Sequence, residues 1–199
     1  MLDAHEATGD PAYLERALEL AGFMNERFAD SENGGFFDVW DESEGLGRLK
    51  DRQKSIQDNT VCAEVFLRLG TLLRDDAHVA TARRTLEAFA GVWPHMGYFA
   101  SGYARWVDTA LNHPAEVNIV GTPETAHRLH QAALHLDVPS RVVQVLEPKR
   151  DSARLEAMFL PPEPAPAAYA CYGTMCSPPV TDPAALLESV RAMQQAARR

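Results

Sequence analysis

Acidic and aromatic residues that could act on a sugar recur at the predicted starts of helices and in the loops before them. They are Asp38, Trp40, Asp58, Asn59, His95, Tyr98, Tyr103 and Trp106. An epimerase needs a base near neutral pH to move a C–H proton, and a glycosidase needs two carboxylates that flank the scissile bond. Aromatic rings beside such acids would offer a sugar ring a surface on which to stack.

Each of these residues also has a simpler structural interpretation. Asp58 lies three residues after Ser55, so it fits the capping box of a helix that begins there. Large rings such as Tyr103 more often pack in a core than bind a ligand. No two acids stand out as a general acid and base, so the sequence leaves open whether the chain is an enzyme. The weak catalytic candidates are Asp58, Asn59, Tyr98 and Trp106.

The cysteines permit several interpretations. Four residues separate Cys171 from Cys176, a spacing found neither in redox Cys-x-x-Cys motifs nor in common zinc sites. Two reduced thiols are the simplest interpretation, and a regulatory disulfide or half of a metal site are the alternatives. Cys62 lies in an apolar stretch and is predicted to be a core residue. We therefore expect no metal and no cofactor, and we retain Cys171 and Cys176 as a redox pair to be tested.

Two similar helical segments would position the acidic and aromatic residues. A helix is predicted from Asp10-Pro11 to Phe28 and another from 74–76 to near Val92, and each is followed by a glycine–aromatic loop. Both helices are amphipathic, whereas the helix that Ser55 begins is apolar on almost every side, which is typical of a buried helix. Ser101 is predicted to cap a shorter helix. The alternation of exposed and buried helices is typical of an α/α toroid.

The pattern changes at Pro114, after which short strands alternate with helices. Strands are predicted at 117–121, 141–146 and 167–171, and helices at about 123–136 and 183–197. Alternation of this kind favours parallel strands joined by helical crossovers. The predicted fold is therefore mainly α, with a partial (α/α) toroid of helix hairpins in residues 1–113 and a small three-stranded parallel α/β element in residues 114–199.

The composition excludes several classes of partner. The formal net charge of −9 argues against nucleic acid and against anionic membrane surfaces, because both select clustered Lys and Arg. No apolar run approaches the ~18 residues that a membrane span needs. Three cysteines are too few for a secreted disulfide scaffold, so we expect a cytoplasmic protein.

Five segments of the chain occur in an order that is typical of a known family. They are ATGDPAYLERALEL, GGFFD, KSIQDNTVCAEVFLRLG, EVNIVG and CYGTMCSPPVTDP. Together they resemble the C-terminal part of the thioredoxin-domain-containing proteins grouped with spermatogenesis-associated protein 20. The resemblance implies an α/α toroid related to N-acylglucosamine 2-epimerases and six-hairpin glycosidases, which a thioredoxin-like domain precedes in full-length members.

The resemblance also implies a function. It indicates a C-terminal fragment linked to carbohydrate metabolism, with a carbohydrate ligand in the full-length toroid and no activity of the fragment alone. The alternative is a non-catalytic scaffold or interaction module that supports the redox domain. Because only one following hairpin is present to cover the apolar helix at 55–73, we also expect an exposed apolar seam and self-association.

Overall fold

The computed structural model describes residues 1–40, 47 and 51–197, which form two compact units. The sheet unit consists of Met1–Leu14, Thr71–Arg74 and the described chain from Asn112 onward. The helical unit consists of the described residues of Glu15–Gly70 and of Asp75–Leu111.

Helices dominate the described part of the chain, and a small sheet lies near its C-terminal end. The helices are α1 (Leu2–Thr8), α2 (Pro11–Phe28), α3 (Ile56–Leu73), α4 (Asp76–Glu87), α5 (Ser101–Asn112), α6 (Pro123–Leu134), α7 (Ser152–Ala157) and α8 (Leu186–Ala197). The strands are β1 (Glu116–Val120), β2 (Val142–Leu146), β3 (Ala167–Tyr172) and β4 (Met175–Cys176). The prediction of a mainly α fold is confirmed at this level, and the toroid stays a prediction.

Several helices begin where capping side chains predict them to begin. The Asp10 carboxylate accepts a hydrogen bond of 2.9 Å from the Ala12 N–H at the start of α2. The Ser55 hydroxyl accepts one of 3.3 Å from the Asp58 N–H at the start of α3. Thr122 and Thr125 form a reciprocal capping box before α6. These bonds satisfy backbone donors that the first turn of a helix leaves free.

The second half of the helical unit differs from the prediction. α4 ends at Glu87 rather than near Val92, and short 3₁₀ turns at Trp93–His95 and Gly97–Ala100 continue the chain. Ser101 is the first residue of α5 rather than its cap. The Gly-Tyr-Phe segment was expected to be a loop, but it forms a 3₁₀ turn that directly precedes α5.

The predicted three-stranded parallel sheet is wrong. The described strands form a four-stranded mixed sheet in the order β2-β1-β3-β4, in which only β1 and β2 are parallel. A crossover through α6 joins β1 to β2 and makes this pair parallel. After β2 the chain passes through α7 and a proline-rich segment, and β3 returns antiparallel to β1 on its other side. A tight turn then adds β4, whose two residues are too few to produce a sequence pattern.

The two faces of this sheet differ in polarity. Val117, Ile119, Val143 and Ala170 point to one face, where they pack in a common core with residues of α6 and α8. Alternation along the strands places other residues on the opposite face. They include Glu116, Asn118, Gln144, Tyr169 and Cys171, all of them buried. Polar side chains on a buried face need partners from elsewhere in the unit.

Candidate functional site

A buried amide fixes the glycine–aromatic loop that leads to the acid Asp38. The Phe36 N–H donates a 2.6 Å hydrogen bond to Asn59 Oδ1, and Asn59 Nδ2 donates to the Phe36 carbonyl at 2.9 Å. The same Nδ2 also donates to the Ser55 carbonyl at 2.9 Å. Asn59 is only 2% exposed. Its polar atoms are thus all used to attach the loop to α3, which gives this catalytic candidate a structural role.

The loop needs glycine where it passes Asn59. Gly35 has a φ of +77°, which side chains rarely adopt. A Cβ at this position would lie 2.8 Å from Asn59 Oδ1. The absence of a side chain therefore lets the backbone approach α3 closely enough for the amide to hold Phe36.

An ion pair holds the beginning of the same loop. Lys54 Nζ donates to Asp30 Oδ2 at 2.8 Å and to the Gly34 carbonyl at 2.9 Å. The Asp30 carboxylate also accepts from the backbone N–H groups of Asn33 and Glu32. The hydrogen bond from Lys54 and these backbone donors hold the pKa of Asp30 well below its usual range. The loop is consequently anchored at both ends.

A cleft of about 330 Å³ lies between this loop, α2 and α3. Its floor is apolar and includes the side chains of Phe28, Phe36 and Phe37, and Asp38 and Asp58 are exposed acids in its lining. The lining residues are Met24, Phe28, Phe36, Phe37, Asp38, Ser55, Asp58, Asn59 and Cys62. Two carboxylates in a cleft that aromatic rings also line can accept hydrogen bonds from a polyol whose apolar face packs on the rings.

Local contacts hold Asp38 and the thiol of the cleft. Asp38 Oδ1 accepts a 2.9 Å hydrogen bond from the Gln53 N–H, which fixes the carboxylate beside the loop. Cys62 is half-buried rather than in the core, and its sulfur lies 4.0 Å from the sulfur of Met24. Burial, and to a lesser extent the charge of Asp58, raises the pKa of the Cys62 thiol to about 11. The thiol is therefore protonated at neutral pH and is a poor nucleophile.

The remaining aromatic candidates do not line this cleft. Trp106 is only 4% exposed on α5, and the hydroxyl of buried Tyr103 donates to the Leu86 carbonyl at 2.7 Å. Tyr98 is 79% exposed and contacts only the ring of Phe99 among the aromatic side chains described, so packing does not explain it. His95 is exposed in a 3₁₀ turn. Of the weak candidates, the structure brings only Asp58 and Asn59 to the cleft.

Two aromatic contacts beside the cleft involve arginines. The Arg52 guanidinium lies 3.9 Å from the centre of the Phe37 ring. The Arg27 guanidinium lies 4.2 Å from the centre of the half-buried Trp40 ring. Phe37 was not among the predicted site residues, although its place directly before Asp38 in a Gly-Gly-Phe-Phe-Asp segment is a signal that points to it.

A disulfide joins Cys171 of β3 to Cys176 of β4. The two residues form a directly opposed cross-strand pair with their Cα atoms 4.1 Å apart. Cys171 is fully buried and Cys176 is exposed. The interpretation as two reduced thiols does not describe this structure. Among the residues described, no group of three His, Cys, Asp or Glu side chains could hold a metal ion.

Comparison with known proteins gives a distant and partial match. The chain is 28% identical to human spermatogenesis-associated protein 20, over a region that covers 94% of the chain and 25% of that protein. It therefore spans about a quarter of the length of this curated relative. No family model and no solved structure matches. None of the described helices is long and apolar enough to cross a bilayer.

Proposed function

We propose that the helical unit forms one wall of a carbohydrate-binding pocket in a larger protein built around an α/α toroid. The observation that carries this proposal is the pair of hydrogen bonds between Asn59 and the backbone of Phe36. These bonds hold the loop so that Phe37 and Asp38 line the same cleft as Asp58. The partial similarity to spermatogenesis-associated protein 20 supports a chain that belongs to a larger protein of that kind. The wider context of a thioredoxin-like domain and of carbohydrate metabolism follows from the resemblance and belongs to the same proposal.

The chemistry of the cleft suits sugar binding better than turnover. Exposed carboxylates accept hydrogen bonds from vicinal hydroxyl groups, and the C–H face of a pyranose packs against aromatic rings. Turnover would need a pocket that helices of several hairpins enclose, and the helical unit supplies only one wall of such a pocket. We therefore expect the 199-residue chain to bind a monosaccharide weakly and to show neither epimerase nor glycosidase turnover above a heat-treated control.

Saturation-transfer NMR with glucose and with N-acetylglucosamine tests this proposal. We expect transfer to the sugar from the wild-type chain, and chemical-shift changes at Phe37 and Cys62. Asp38→Asn and Asp58→Asn should each weaken binding several-fold, because each replaces a charged acceptor by a neutral one, and hydrogen bonds to the two kinds of acceptor differ by ~1 kcal/mol. Asp137→Asn is the matched control, because Asp137 is an exposed acid of the sheet unit. Absence of transfer at millimolar sugar, or equal binding by all variants, would overturn the proposal.

A second role as a non-catalytic interaction module rests on a different observation. Several large apolar side chains of the helical unit are exposed, and Val61 on α3 is 58% exposed. The others are Leu20, Phe23, Val92, Trp93, Tyr98, Phe99 and Leu111. We propose that these residues mediate self-association or contact with another part of a larger protein. A monodisperse monomer by light scattering, with no binding of a hydrophobic dye, would refute this role.

A further inference from the structure

Only one of the two cysteines in the disulfide of the sheet unit is exposed to solvent. Cys176 lies on the exposed two-residue strand β4, whereas Cys171 is fully buried among Val120, Leu146 and Tyr169. A thiolate from solution can therefore reach Cys176 but not Cys171. Attack on Cys176 makes the buried Cys171 sulfur the leaving group, and the surroundings of that sulfur then control the exchange.

A buried amide lies beside the Cys171 sulfur, and a buried acid is the cross-strand neighbour of Cys171. Asn118 Nδ2 is 3.5 Å from Cys171 Sγ. Glu116 is the residue directly opposite Cys171 in the antiparallel β1–β3 pair, on the same face of the sheet. Side chains at directly opposed positions have their Cβ atoms ~4.5–5.5 Å apart. The Glu116 side chain is only 4% exposed, and register and burial together make it a buried cross-strand neighbour of Cys171.

Arg74 connects the carboxyl group of Glu116 to the hairpin that carries the disulfide. Its guanidinium lies 2.7 Å from the Glu116 carboxylate and 2.9 Å from the carbonyl of Gly173, in the turn between β3 and β4. The buried polar contacts continue through Asn118 to Gln144, which accepts a hydrogen bond of 2.5 Å from Arg154. The Tyr169 hydroxyl is buried on this face and has no hydrogen-bond partner among the residues that the structure describes.

The ionisation of Glu116 is set near neutrality by its surroundings. Burial raises the pKa of Glu116 to about 7, and the charge of Arg74 and the hydrogen bond of Asn118 oppose this rise only in part. Other charged or titratable groups around this face are Arg154 with Asp151 on and before α7, Tyr169 on β3, and His113 beside the turn. Glu116 thus exists at neutral pH in both a protonated and an ionised form.

We propose that Cys171 and Cys176 form a site of thiol–disulfide exchange with dithiol reductants, in which Glu116 supplies the proton to the departing Cys171 sulfur. This activity is independent of the proposed sugar cleft, because it involves residues of the sheet unit alone.

The exchange has two steps that balance. One thiolate of the dithiol attacks Cys176 Sγ, the Cys171–Cys176 bond breaks, and a mixed disulfide forms at Cys176. The Cys171 thiolate takes a proton from the Glu116 carboxylic acid, and the resulting carboxylate pairs with Arg74. The second thiol of the reductant loses its proton to solvent, and the resulting thiolate attacks the first sulfur of the reductant, which is bonded to Cys176 in the mixed disulfide. This attack releases Cys176, which takes a proton from solvent, so two electrons pass from the dithiol to the protein.

Reduction by dithiothreitol measures the contribution of Glu116. The oxidised wild-type chain is mixed with excess reductant at pH values on both sides of the Glu116 pKa, quenched with acid and alkylated, and the free thiols are counted by mass spectrometry. Each rate is divided by the concentration of reductant thiolate, which gives a second-order rate constant for the thiolate. We expect this rate constant to fall as the pH rises through about 7, because the protonated form of Glu116 disappears.

Two variants separate the proton donor from a structural effect. Glu116→Gln keeps the shape and one acceptor but holds no transferable proton, so its rate constant should be independent of pH. Below the Glu116 pKa it should be slower by about tenfold, less than the usual ~10²–10⁴-fold contribution of a positioned acid, because a thiolate is a good leaving group. Glu6→Gln is the matched control, since Glu6 is another buried acid of the sheet unit and accepts from the Val143 N–H. It should behave as the wild type.

Three results would overturn the proposal. One is a wild-type constant that does not vary with pH, and another is a Glu116→Gln constant equal to that of the wild type. The third is a mixed disulfide with glutathione that forms on Cys171 instead of Cys176. If Glu116→Gln fails to fold, carbon-13 NMR of the wild-type Glu116 carboxyl group decides. The proposal requires its pKa to change when the disulfide is reduced, and an unchanged pKa would refute it.

Discussion

Replacing Asn59 by alanine should destabilise the helical unit strongly. The substitution leaves the N–H and C=O of Phe36 without the partners that Asn59 provides at 2.6 and 2.9 Å, at a residue that is 4% exposed. The Ser55 carbonyl keeps a partner, because the Asn59 N–H donates to it at 3.0 Å. Two buried backbone groups without partners cost about 1–3 kcal/mol each, so we expect a loss of ~2–6 kcal/mol. This is a large fraction of the ~5–15 kcal/mol that stabilises a typical domain.

Urea unfolding followed by circular dichroism and by tryptophan fluorescence measures this loss. Asn33→Ala is the matched control, because it makes the same chemical change in an exposed part of the loop, where Asn33 Nδ2 donates to Asp30 at 3.3 Å. Exposed substitutions usually change stability by less than ~0.5 kcal/mol. Asn59→Asp keeps the acceptor for the Phe36 N–H but places a carboxylate next to the Phe36 carbonyl, so it should destabilise at least as much as alanine.

Unfolding of Asn59→Ala and Asn33→Ala at the same urea concentration and with the same slope would contradict this prediction. Destabilised Asn59→Ala that binds sugar as tightly as the wild type would contradict the role of Asn59 at the cleft, because its hydrogen bonds to Phe36 are expected to hold Phe37 and Asp38 there. A tight-binding variant of low stability would show that the cleft forms without Asn59.

Asp30→Asn should lower stability at neutral pH, and the difference from the wild type should shrink as the pH falls, because the folded state lowers the pKa of Asp30; thermal unfolding against pH measures this. The contribution of Glu116 to stability depends on pH in the opposite direction, since the pKa of Glu116 is raised from 4.5 to about 7. Its contribution is therefore complete below 4.5 and is lost as the pH rises through about 7, so wild type should lose stability relative to Glu116→Gln over that interval in the same assay. A double Cys171→Ser, Cys176→Ser variant should melt within a few degrees of the reduced wild type, because Asn118 can donate to a serine at 171. The free energy of unfolding of the oxidised wild type should exceed that of this variant by only about 2 kcal/mol, because the loop that the disulfide closes is short.

Helix starts could be predicted from the sequence because their determinants are local. Asp10, Ser55 and Thr122 each cap a helix through a bond to a backbone group two or three residues away. The end of α4 was predicted less well, because a 3₁₀ continuation leaves the same apolar residues in the pattern.

The sheet could not be predicted in the same way. The direction of β3 depends on the path that the chain takes after α7, and two-residue β4 carries no periodicity. Local residues therefore predicted the existence of β1, β2 and β3, while their order and direction required the assembled unit.

Some of the site residues could likewise be recognised from the local sequence, whereas the role of others depends on contacts with distant parts of the chain. Asp38 and Asp58 could be named as acids near helix starts, but the role of Asn59 depends on a loop 23 residues away in sequence. Glu116 was not singled out, because the predicted strand began at residue 117 and β1 begins one residue earlier. Only the register that sets it opposite Cys171 reveals its neighbour.

Asp30 and Glu116 show why residue type and charge partner do not decide the chemistry of a carboxyl group. Each lies close to a cation, Lys54 at 2.8 Å and Arg74 at 2.7 Å, yet their pKa values move in opposite directions. Asp30 accepts further hydrogen bonds from two backbone N–H groups, which stabilise the ion. Glu116 lies on a buried sheet face, where the loss of hydration outweighs one guanidinium and one amide. The first environment suits an anchor that stays ionised, and the second suits a group that gives and takes a proton near neutral pH.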